Sequence, residues 1–404
     1  MPIVQIFMYL CIYMNVAVIG VGNRARKYLS CLPEGVRVCC LVEPELIRLE
    51  QAAARFSVPP EACFSNADEF FAAPRPGIDA AIVAAPDRLH LPLALACVER
   101  GWHVLLEKPV AESDEEYMML VEAAEKAGVH VGVCLEMRLH PYFKRIRELA
   151  AYVGPVSRID HIEHIGPDRM AHTFVRGLWS RNEAAGPIFL SKCCHDADFL
   201  LWLTGATQVG EVMSIGALNK FCSDFAPEGA ALRCVDCPLE QECPYSAVDL
   251  YLRRGAWTSG FDVPDGQTLR EVIERELKDG RYGRCVYHCD NDVYDTQTVT
   301  AVLDGGLHLN MQLEGISMEE GRCTRIVGRD GVLEADGGHI SLKLNDSSEP
   351  LEEDFSALND APLHAGADAA LVRDFFDSIE RGCEPSASLR SAYPGHQICF
   401  KAGL

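Results

Sequence analysis

Positive charge is scarce in this sequence of 404 residues: 37 lysines and arginines stand against 59 aspartates and glutamates, a formal net charge of -22. A surface this acidic repels phosphate backbones and anionic lipid headgroups, so we expect neither nucleic-acid nor membrane-surface binding. Internal repeats and low-complexity linkers are also absent. With 48% hydrophobic residues, the chain is long enough for two domains that need no disulfide bonds.

The amino-terminal stretch has no charged side chain before Arg24. A secretory signal needs a basic start and a cleavage site, and residues 1–13 lack both. A membrane helix needs about 20 apolar residues, and residues 1–22 reach that length only by including NVAVIGVG, which is typical of a strand ended by glycine. We therefore expect a native start at Met14 after an extension of uncertain role. We also expect a reducing cytoplasm, in which most of the 18 cysteines are core hydrophobes.

A glycine turn, GVGNRA, follows this strand and precedes a helical stretch. Gly20 permits the tight turn, Gly22 lets the main chain approach a diphosphate, and free N–H groups at the helix start favour phosphates. Glu43 ends the next strand, where its carboxylate can accept both adenosine ribose hydroxyls and repel the 2′-phosphate of NADP, so NAD is favoured. A structural turn with a solvated glutamate is the alternative. The predicted cofactor contacts of this region are Gly20, Gly22, Asn23, Arg24, Ala25 and Glu43.

Strand and helix patterns then alternate to about residue 137. One of the strands, IDAAIVAAP, is continuously apolar, as expected in a parallel sheet that is buried on both faces. Alternation of this kind predicts a doubly wound parallel sheet of the Rossmann type, with the opening apolar run as its first, central strand.

Four segments occur in a specific order: VAVIGVGNRA, AAIVAAPDRLH, HVLLEKPVA and KCCHDADFLLWLTG. As a set they resemble the Gfo/Idh/MocA family of oxidoreductases, from about residue 14 to near the C terminus. The resemblance implies a Rossmann domain, here residues 14–137, and an α/β domain with a large, mostly antiparallel sheet, here residues 138–404. It also implies NAD(P)-dependent chemistry on secondary hydroxyls of small sugars or cyclitols, and a homo-oligomer, a dimer or a tetramer, formed through one face of that sheet. A cysteine-rich insertion over about 219–292 lies outside the basic family architecture.

The tripeptide EKP, residues 107–109, follows a strand pattern, and open α/β sheets bind ligands at the carboxyl ends of their strands. An isolated EKP would be an exposed loop, but the resemblance places Lys108 close to the reacting centre. Oxidation of a hydroxyl needs a base, and a lysine can serve if burial or a neighbouring cation lowers its pKa towards neutrality. The resemblance also assigns cofactor contacts to Ala85, Pro86, His90, Glu107 and Lys108.

The segment FLSKCCHDAD supplies the other catalytic candidates. His195 matches the usual catalytic histidine of the family, whereas the aspartate that many members carry four residues earlier is Ser191 here. Lys192 lies three residues before His195, so the two side chains can share one helix face, and Asp198 could orient the imidazole ring. We predict that Lys108, Lys192 and His195 are catalytic, and which of them takes the proton stays open. Ordinary surface charges on a helix are the alternative.

Ligand-binding candidates precede this helix in GPDRMAHTFVRGLWSR. Arg176 could bind a carboxylate or vicinal hydroxyls, Trp179 could stack on a sugar face, and His172 completes the predicted substrate set. Contacts that serve only the fold or an interface are the alternative.

Three cysteines in RCVDCPLEQECPYSA have the spacing C-x2-C-x5-C. They could bind a structural zinc ion, with a fourth ligand from the later segment GRCVYHCDND. An iron–sulfur cluster could use the same ligands, and a metal-free packing knot is the third interpretation. The predicted metal ligands are Cys234, Cys237, Cys243 and Cys285, and the later segment also contains His288 and Cys289.

These features together predict an NAD-dependent oxidoreductase that acts on a secondary hydroxyl of a sugar, cyclitol or glycoside. One alternative is a glycosidase-like enzyme that retains NAD, oxidises the sugar transiently and eliminates the aglycone. Another is an NAD-binding sensor without turnover, and the remaining one is a Rossmann-type protein with a different reaction.

Overall fold

The computed structural model describes residues 14–72 and 74–403, so residues 1–13, with the predicted extension, lie outside the described part. Six parallel strands form the first sheet in the order β3-β2-β1-β4-β5-β6, the arrangement of a dinucleotide-binding fold. The strands are β1 (Met14–Ile19), β2 (Val36–Val42), β3 (Cys63–Phe64), β4 (Ala80–Val83), β5 (His103–Leu106) and β6 (Val131–Val133). The predicted Rossmann sheet is therefore confirmed, with the apolar run from Met14 as a central strand.

Helices connect these strands and cover the sheet. They are α1 (Asn23–Leu29), α2 (Leu46–Phe56), α3 (Ala67–Phe71), α4 (His90–Val98) and α5 (Asp114–Ala127). Helix α5 shows how local sequence sets the boundaries: the Ser113 hydroxyl accepts the N–H of Glu116, and Gly128 ends the helix in the left-handed region.

The second sheet has eight strands in the order β14-β13-β12-β11-β7-β10-β9-β8. All neighbouring pairs are antiparallel except β7 and β10, which confirms the large, mostly antiparallel sheet. Its strands are β7 (Val156–His164), β8 (Val209–Ala217), β9 (Thr296–Leu303), β10 (His308–Glu314), β11 (Gly321–Gly328), β12 (Gly331–Asp336), β13 (His339–Leu344) and β14 (Leu351–Asp354).

The helices after the first sheet are α6 (Pro141–Ala150), α7 (Pro167–Arg169), α8 (Asn182–Ala185), α9 (Ile188–Thr204), α10 (Leu269–Asp279), α11 (Pro362–Ala365), α12 (Ala367–Arg381) and α13 (Leu389–Ala402). Helix α9 is apolar on nearly all sides and is buried beside β7. Helix α13 packs against α9 so closely that a Cβ on Gly395 would lie 2.8 Å from the main chain of Asp198. This contact fixes α9, which carries His195, relative to α5 of the first domain, which α13 also touches.

The insertion between β8 and β9 contains α10, short turns and no strand among its described residues. Its own apolar core is small, with the buried members Cys234, Ala247, Leu250, Tyr251, Ile273 and Leu277. The insertion docks on the first domain through Asp262, whose carboxylate lies 2.6 Å from Arg48 and 3.5 Å from Arg26. This contact places the insertion next to the glycine turn, where Asn23 lies near Gly260.

Within the described part of the chain, none of the helices combines the length and the apolar character that crossing a bilayer requires. The cysteines of this part are all free thiols. The domain boundary near residue 137, drawn from the sequence, stays a prediction.

Candidate functional site

The glycine turn between β1 and α1 leaves open space for a ligand. Gly20 has a φ of +87°, and a Cβ there would lie 2.5 Å from the carbonyl oxygen of Ala84, so only glycine fits without strain. A Cβ on Gly22 would meet no atom within 4 Å. Ala25 is fully buried, and Asn23 is exposed at the start of α1. The main chain at Gly22 is therefore free to contact a diphosphate.

Glu43 is held beside this turn at the end of β2. Its Oε2 accepts the N–H of Val21 at 2.7 Å, and its Oε1 accepts the N–H of Glu45 at 3.0 Å. The residue is only 5% exposed. Because each carboxylate oxygen can accept more than one hydrogen bond, Glu43 keeps the capacity to bind ribose hydroxyls.

The guanidinium of Arg24 is bound by carboxylates of the protein itself. Its Nε lies 2.9 Å from Glu107 Oε1, and its Nη2 lies 3.0 Å from Asp368 Oδ1 and 2.6 Å from the Tyr28 hydroxyl. Burial alone would raise the pKa of Glu107, but Arg24 and Lys108 outweigh it and lower that pKa below its ordinary value. The side chain of Arg24 therefore fixes Glu107; it is also 30% exposed, and its role in cofactor binding stays a prediction.

The other predicted cofactor contacts cluster at the end of β4. Ala85 is partly buried and Pro86 is exposed. His90 is buried, with Nδ1 2.7 Å from the carbonyl oxygen of Pro109 and Nε2 2.8 Å from that of Ala85. Both ring nitrogens of His90 are thus used within the protein, and the residue ties the β4 loop to the EKP loop instead of offering a nitrogen to a cofactor, which corrects its predicted role.

Lys108 lies just after β5, as predicted, and its peptide bond to Pro109 is cis. Its Nζ donates to the carbonyl oxygen of Ser191 in α9 at 2.6 Å, which brings the two predicted catalytic segments together. Burial works to lower the pKa of Lys108, but its interactions with Cys194, Asp87 and Glu107 outweigh burial and raise this pKa above its ordinary value. Lys108 therefore stays an ammonium at neutral pH, so the lowered pKa that a lysine base would need is not met, and the catalytic role of Lys108 stays a prediction.

His195 has the opposite electrostatic environment. Burial, helped by the charge of Lys108, lowers the pKa of His195 well below its ordinary value. The imidazole is therefore neutral at pH 7. Its Nε2 lies 3.7 Å from Glu136 Oε2, and its Nδ1 is buried without a hydrogen-bond partner.

Lys192 and Asp198 of α9 each pair with a charged side chain from another element. Lys192 forms an ion pair with Glu163 of β7, and Arg322 shares that carboxylate at 2.9 Å. Asp198 binds Arg138 with both oxygens, at 2.8 and 2.5 Å, inside the core. The expectation that Asp198 orients His195 is therefore wrong, because its side chain leaves the helix towards Arg138.

The predicted substrate residues separate into three environments. Trp179 reaches the site, since its Nε1 donates to Asp87 Oδ2 at 3.1 Å. His172 is stacked on Tyr282 with ring centroids 4.7 Å apart, and burial lowers its pKa to about 4. Arg176 is fully buried, so the structure contradicts its predicted role in substrate binding.

The four predicted metal ligands line a single small cavity inside the insertion, away from Lys108 and His195. Sequence reasoning missed three carboxylates that surround the site: Asp87, Glu136 and Glu163. Asp87 and Glu136 each follow a buried parallel strand by a few residues, and this position was the signal that could have identified them. Glu163 gave no such signal, because it lies within a long strand of the other domain.

Comparison with known proteins agrees with this geometry. The family model GFO_IDH_MocA, described as an oxidoreductase family with an NAD-binding Rossmann fold, matches residues 14–135. YteT of Bacillus subtilis strain 168, which is named as an oxidoreductase, is 25% identical over 365 residues, or 86% of this chain and 81% of that protein. Inositol 2-dehydrogenase 4 of Saccharopolyspora erythraea is 27% identical over 228 residues, and the match spans 54% of this chain and 60% of that enzyme.

Solved structures show the same fold. An oxidoreductase from Agrobacterium radiobacter, in complex with NAD+, L-tartaric acid and magnesium, superposes with a TM-score of 0.66 at 14% identity, over 95% of this chain and 94% of that one. An aldose-aldose oxidoreductase from Caulobacter crescentus superposes with a TM-score of 0.63 at 17% identity, over 97% of each chain. At these identities the likeness extends to the fold alone.

Proposed function

Because this chain belongs to the Gfo/Idh/MocA family of oxidoreductases, we propose that it oxidises or reduces a secondary hydroxyl of a sugar, cyclitol or glycoside with NAD. The observation that carries the proposal is the meeting of two segments at one site: Lys108, at the end of β5, is hydrogen-bonded to α9, which presents His195. The glycine turn and Glu43 lie at the carboxyl edge of the same sheet.

The residues at that edge fit a dinucleotide. The open space at Gly22 admits a diphosphate close to the main chain, and the carboxylate of Glu43 is placed for the adenosine ribose. When bound, NAD supplies the acceptor for the hydride of the substrate carbon. Glu107 is held in the charged state by Arg24 and so anchors the EKP loop beneath the reacting groups.

We assign the proton transfer to His195. A neutral imidazole can accept the hydroxyl proton, and we place this proton on Nε2, where Glu136 Oε2 at 3.7 Å stabilises the resulting charge. Lys108 remains an ammonium and donates a hydrogen bond to the substrate oxygen, which favours the developing alkoxide. Reduction runs through the same groups in reverse.

Lys192 and Trp179 are proposed to hold the substrate. The Lys192 side chain is 16% exposed and stands one turn before His195, while Glu163 fixes its position. Trp179, fixed by Asp87, can offer its indole face to the apolar side of a sugar or cyclitol ring.

The first test is a screen of the purified protein. Bound nucleotide is released and identified, and then a panel of sugars, cyclitols and glycosides is assayed for NADH formation. Formation of NADH with a single class of polyol supports the proposed reaction. Release of an aglycone without net NADH would replace it by transient oxidation and elimination, and tight NAD binding without turnover would replace it by a sensor.

Replacing Glu43 by glutamine tests the cofactor assignment. We expect the Kd for NAD to rise about ten-fold, since hydrogen bonds to a charged group contribute roughly 1.5–3 kcal/mol. The preference for NAD over NADP should also shrink, because the repulsion of the 2′-phosphate is lost. Glu45→Gln, an exposed neighbour on the same loop, is the matched control. Equal nucleotide affinities in both variants, measured by calorimetry, would contradict the role of Glu43.

We also propose that the chain forms a homo-oligomer through the open face of the second sheet. Met213 and Ile215 of β8 are 71% and 81% exposed, and strand pairing places them beside Thr300 and Thr298 on one face. Ile215→Glu is expected to shift the protein towards the monomer in light scattering coupled to gel filtration. Met318→Glu, an exposed apolar residue between β10 and β11, should leave the mass unchanged, and an unaltered mass for Ile215→Glu would refute this interface.

The cytoplasm is the proposed location of the protein. The free thiols of the described cysteines support a reducing compartment, since disulfides form and persist in oxidising ones. Thiol labelling of intact cells, followed by lysis and cell fractionation, would test this location.

A further inference from the structure

Two arginines stand next to the predicted coenzyme site of the first domain. Arg26 lies in α1, four residues after Gly22, and Arg48 lies in the first turn of α2, five residues after Glu43. Their side chains are 35% and 31% exposed. In dinucleotide-binding folds, a carboxylate about 20 residues after the glycine turn binds the adenosine ribose of NAD, and a nearby arginine accommodates the 2′-phosphate of NADP. This edge of the sheet therefore carries groups of both kinds.

Arg48 is close to Glu43 in space as well as in sequence. Hydrogen bonding to Asp262 is the largest cause that raises the pKa of Arg48 above its ordinary value, and the charge of Glu43 raises it further. A free guanidinium at this position would attract a phosphate and so oppose the preference for NAD that Glu43 creates. The coenzyme preference consequently depends on what Arg48 binds.

Asp262 of the insertion binds both arginines. Arg48 donates from Nε to Asp262 Oδ2 at 2.7 Å, and its Nη2 lies 2.6 Å from the same oxygen. Nη2 of Arg26 lies 3.5 Å from Asp262 Oδ1. The Asp262 side chain is 16% exposed, so most of it is shielded from water. One carboxylate, 214 residues away from Arg48 in the chain, thus engages both guanidinium groups.

An aromatic cluster of the insertion fixes the position of Asp262. Its neighbour Phe261 packs edge-on against Tyr251 and Tyr282, with ring centroids 5.3 and 5.5 Å apart. Tyr251 is 2% exposed, and Tyr282 in turn stacks on His172. Because this packing already restricts the loop, the ion pairs of Asp262 lose less conformational entropy than those of a free surface side chain.

We propose that Asp262 is a determinant of coenzyme preference: it occupies the guanidinium groups of Arg26 and Arg48, so that they are not available to the 2′-phosphate of NADP. The inference rests on the proposed binding of NAD at the glycine turn. Glu43 acts on the nucleotide directly, as a partner for the ribose hydroxyls, whereas Asp262 acts through the arginines. The insertion that carries Asp262 therefore takes part in the choice of nucleotide.

Asp262→Asn tests the proposal on the full-length protein, with the Kd values for NAD and NADP measured by calorimetry in the absence of substrate. Asparagine keeps the size of the side chain and loses the charge that binds the arginines. We expect the Kd for NADP to fall about ten-fold, the usual effect of one hydrogen bond between charged groups. The Kd for NAD should be nearly unchanged. Asp265→Asn, at an exposed position of the same loop, is the matched control and should keep the wild-type values.

A further variant shows whether the released arginines carry the effect. Adding Arg26→Gln and Arg48→Gln to Asp262→Asn removes both guanidinium groups, and we expect the gain in NADP affinity to disappear. A gain that survives without the two arginines would overturn the proposal, since the arginines would then not be the groups that Asp262 withholds.

A contact that serves only to dock the insertion predicts a different result. Asp262→Asn would then lower the Tm and either weaken the binding of NAD and NADP by the same factor or leave both unchanged, and either result would overturn the proposal. The proposed reaction fails separately: wild-type protein that binds NAD but forms no NADH in the polyol screen would refute turnover, while its coenzyme preference is still measured. Absence of NAD binding by the wild type would overturn both.

Discussion

Replacement of His195 by asparagine is expected to lower kcat by about 10²–10⁴-fold, the range that a positioned general base contributes. Asparagine keeps a similar shape but cannot accept the hydroxyl proton. NAD affinity should be nearly unchanged, because Glu43 and the glycine turn are untouched. Steady-state kinetics and calorimetry on the same preparation separate these two effects.

The pH profile distinguishes a base from a merely structural histidine. The pKa of His195 lies well below its ordinary value of 6.5, so the neutral form persists down into mildly acidic solution. As the pH falls through this lowered pKa, the imidazole gains a proton and kcat falls in the wild type. The pH profile of His195→Asn should lack this fall of kcat at low pH, which is the acidic limb of the profile. His308→Asn, at an exposed position of β10, should keep both the rate and the limb. An acidic limb that survives in His195→Asn would refute the assignment.

Replacement of Lys108 by methionine is expected to lower kcat by about 10²–10³-fold, the range observed when a preorganised donor to a developing oxyanion is removed. Methionine fills nearly the same volume without the charge. The hydrogen bond to the carbonyl oxygen of Ser191 is lost as well, so the EKP loop and α9 lose their direct link. Kinetics with the substrate identified in the screen would measure the loss.

A second readout separates the charge of Lys108 from its packing. Lys108 helps to lower the pKa of His195, so without the ammonium this pKa should rise and the acidic limb should move to higher pH. Lys343→Met, at an exposed position of β13, is the matched control and should behave like the wild type. If Lys108→Met is slow but its acidic limb does not move, the ammonium does not act on His195 as proposed.

The first domain could be predicted well from the sequence. Buried parallel strands give continuous apolar runs, and the turn at Gly20 needs a positive φ, so both leave local signatures. The position of Lys108 after its strand was predicted on the same basis. The roles of Asp198 and Arg176 were not predicted correctly. Sequence spacing shows which residues can share a face but not which distant groups their side chains contact.

Sequence by itself determined the dinucleotide-binding architecture, the resemblance to the Gfo/Idh/MocA family, and the two segments that carry Lys108 and His195, since these follow from periodicity and from short motifs. Only the tertiary structure decided which of these two groups is charged. Protonation depends on burial and on charges that are close in space and far apart in the chain, such as Asp87 beside Lys108 and Lys108 beside His195. The same reason applies to the insertion, where folding places Arg176 against Cys234 and beside the other cysteines of one cavity. The sequence shows the number and spacing of these cysteines but not this contact.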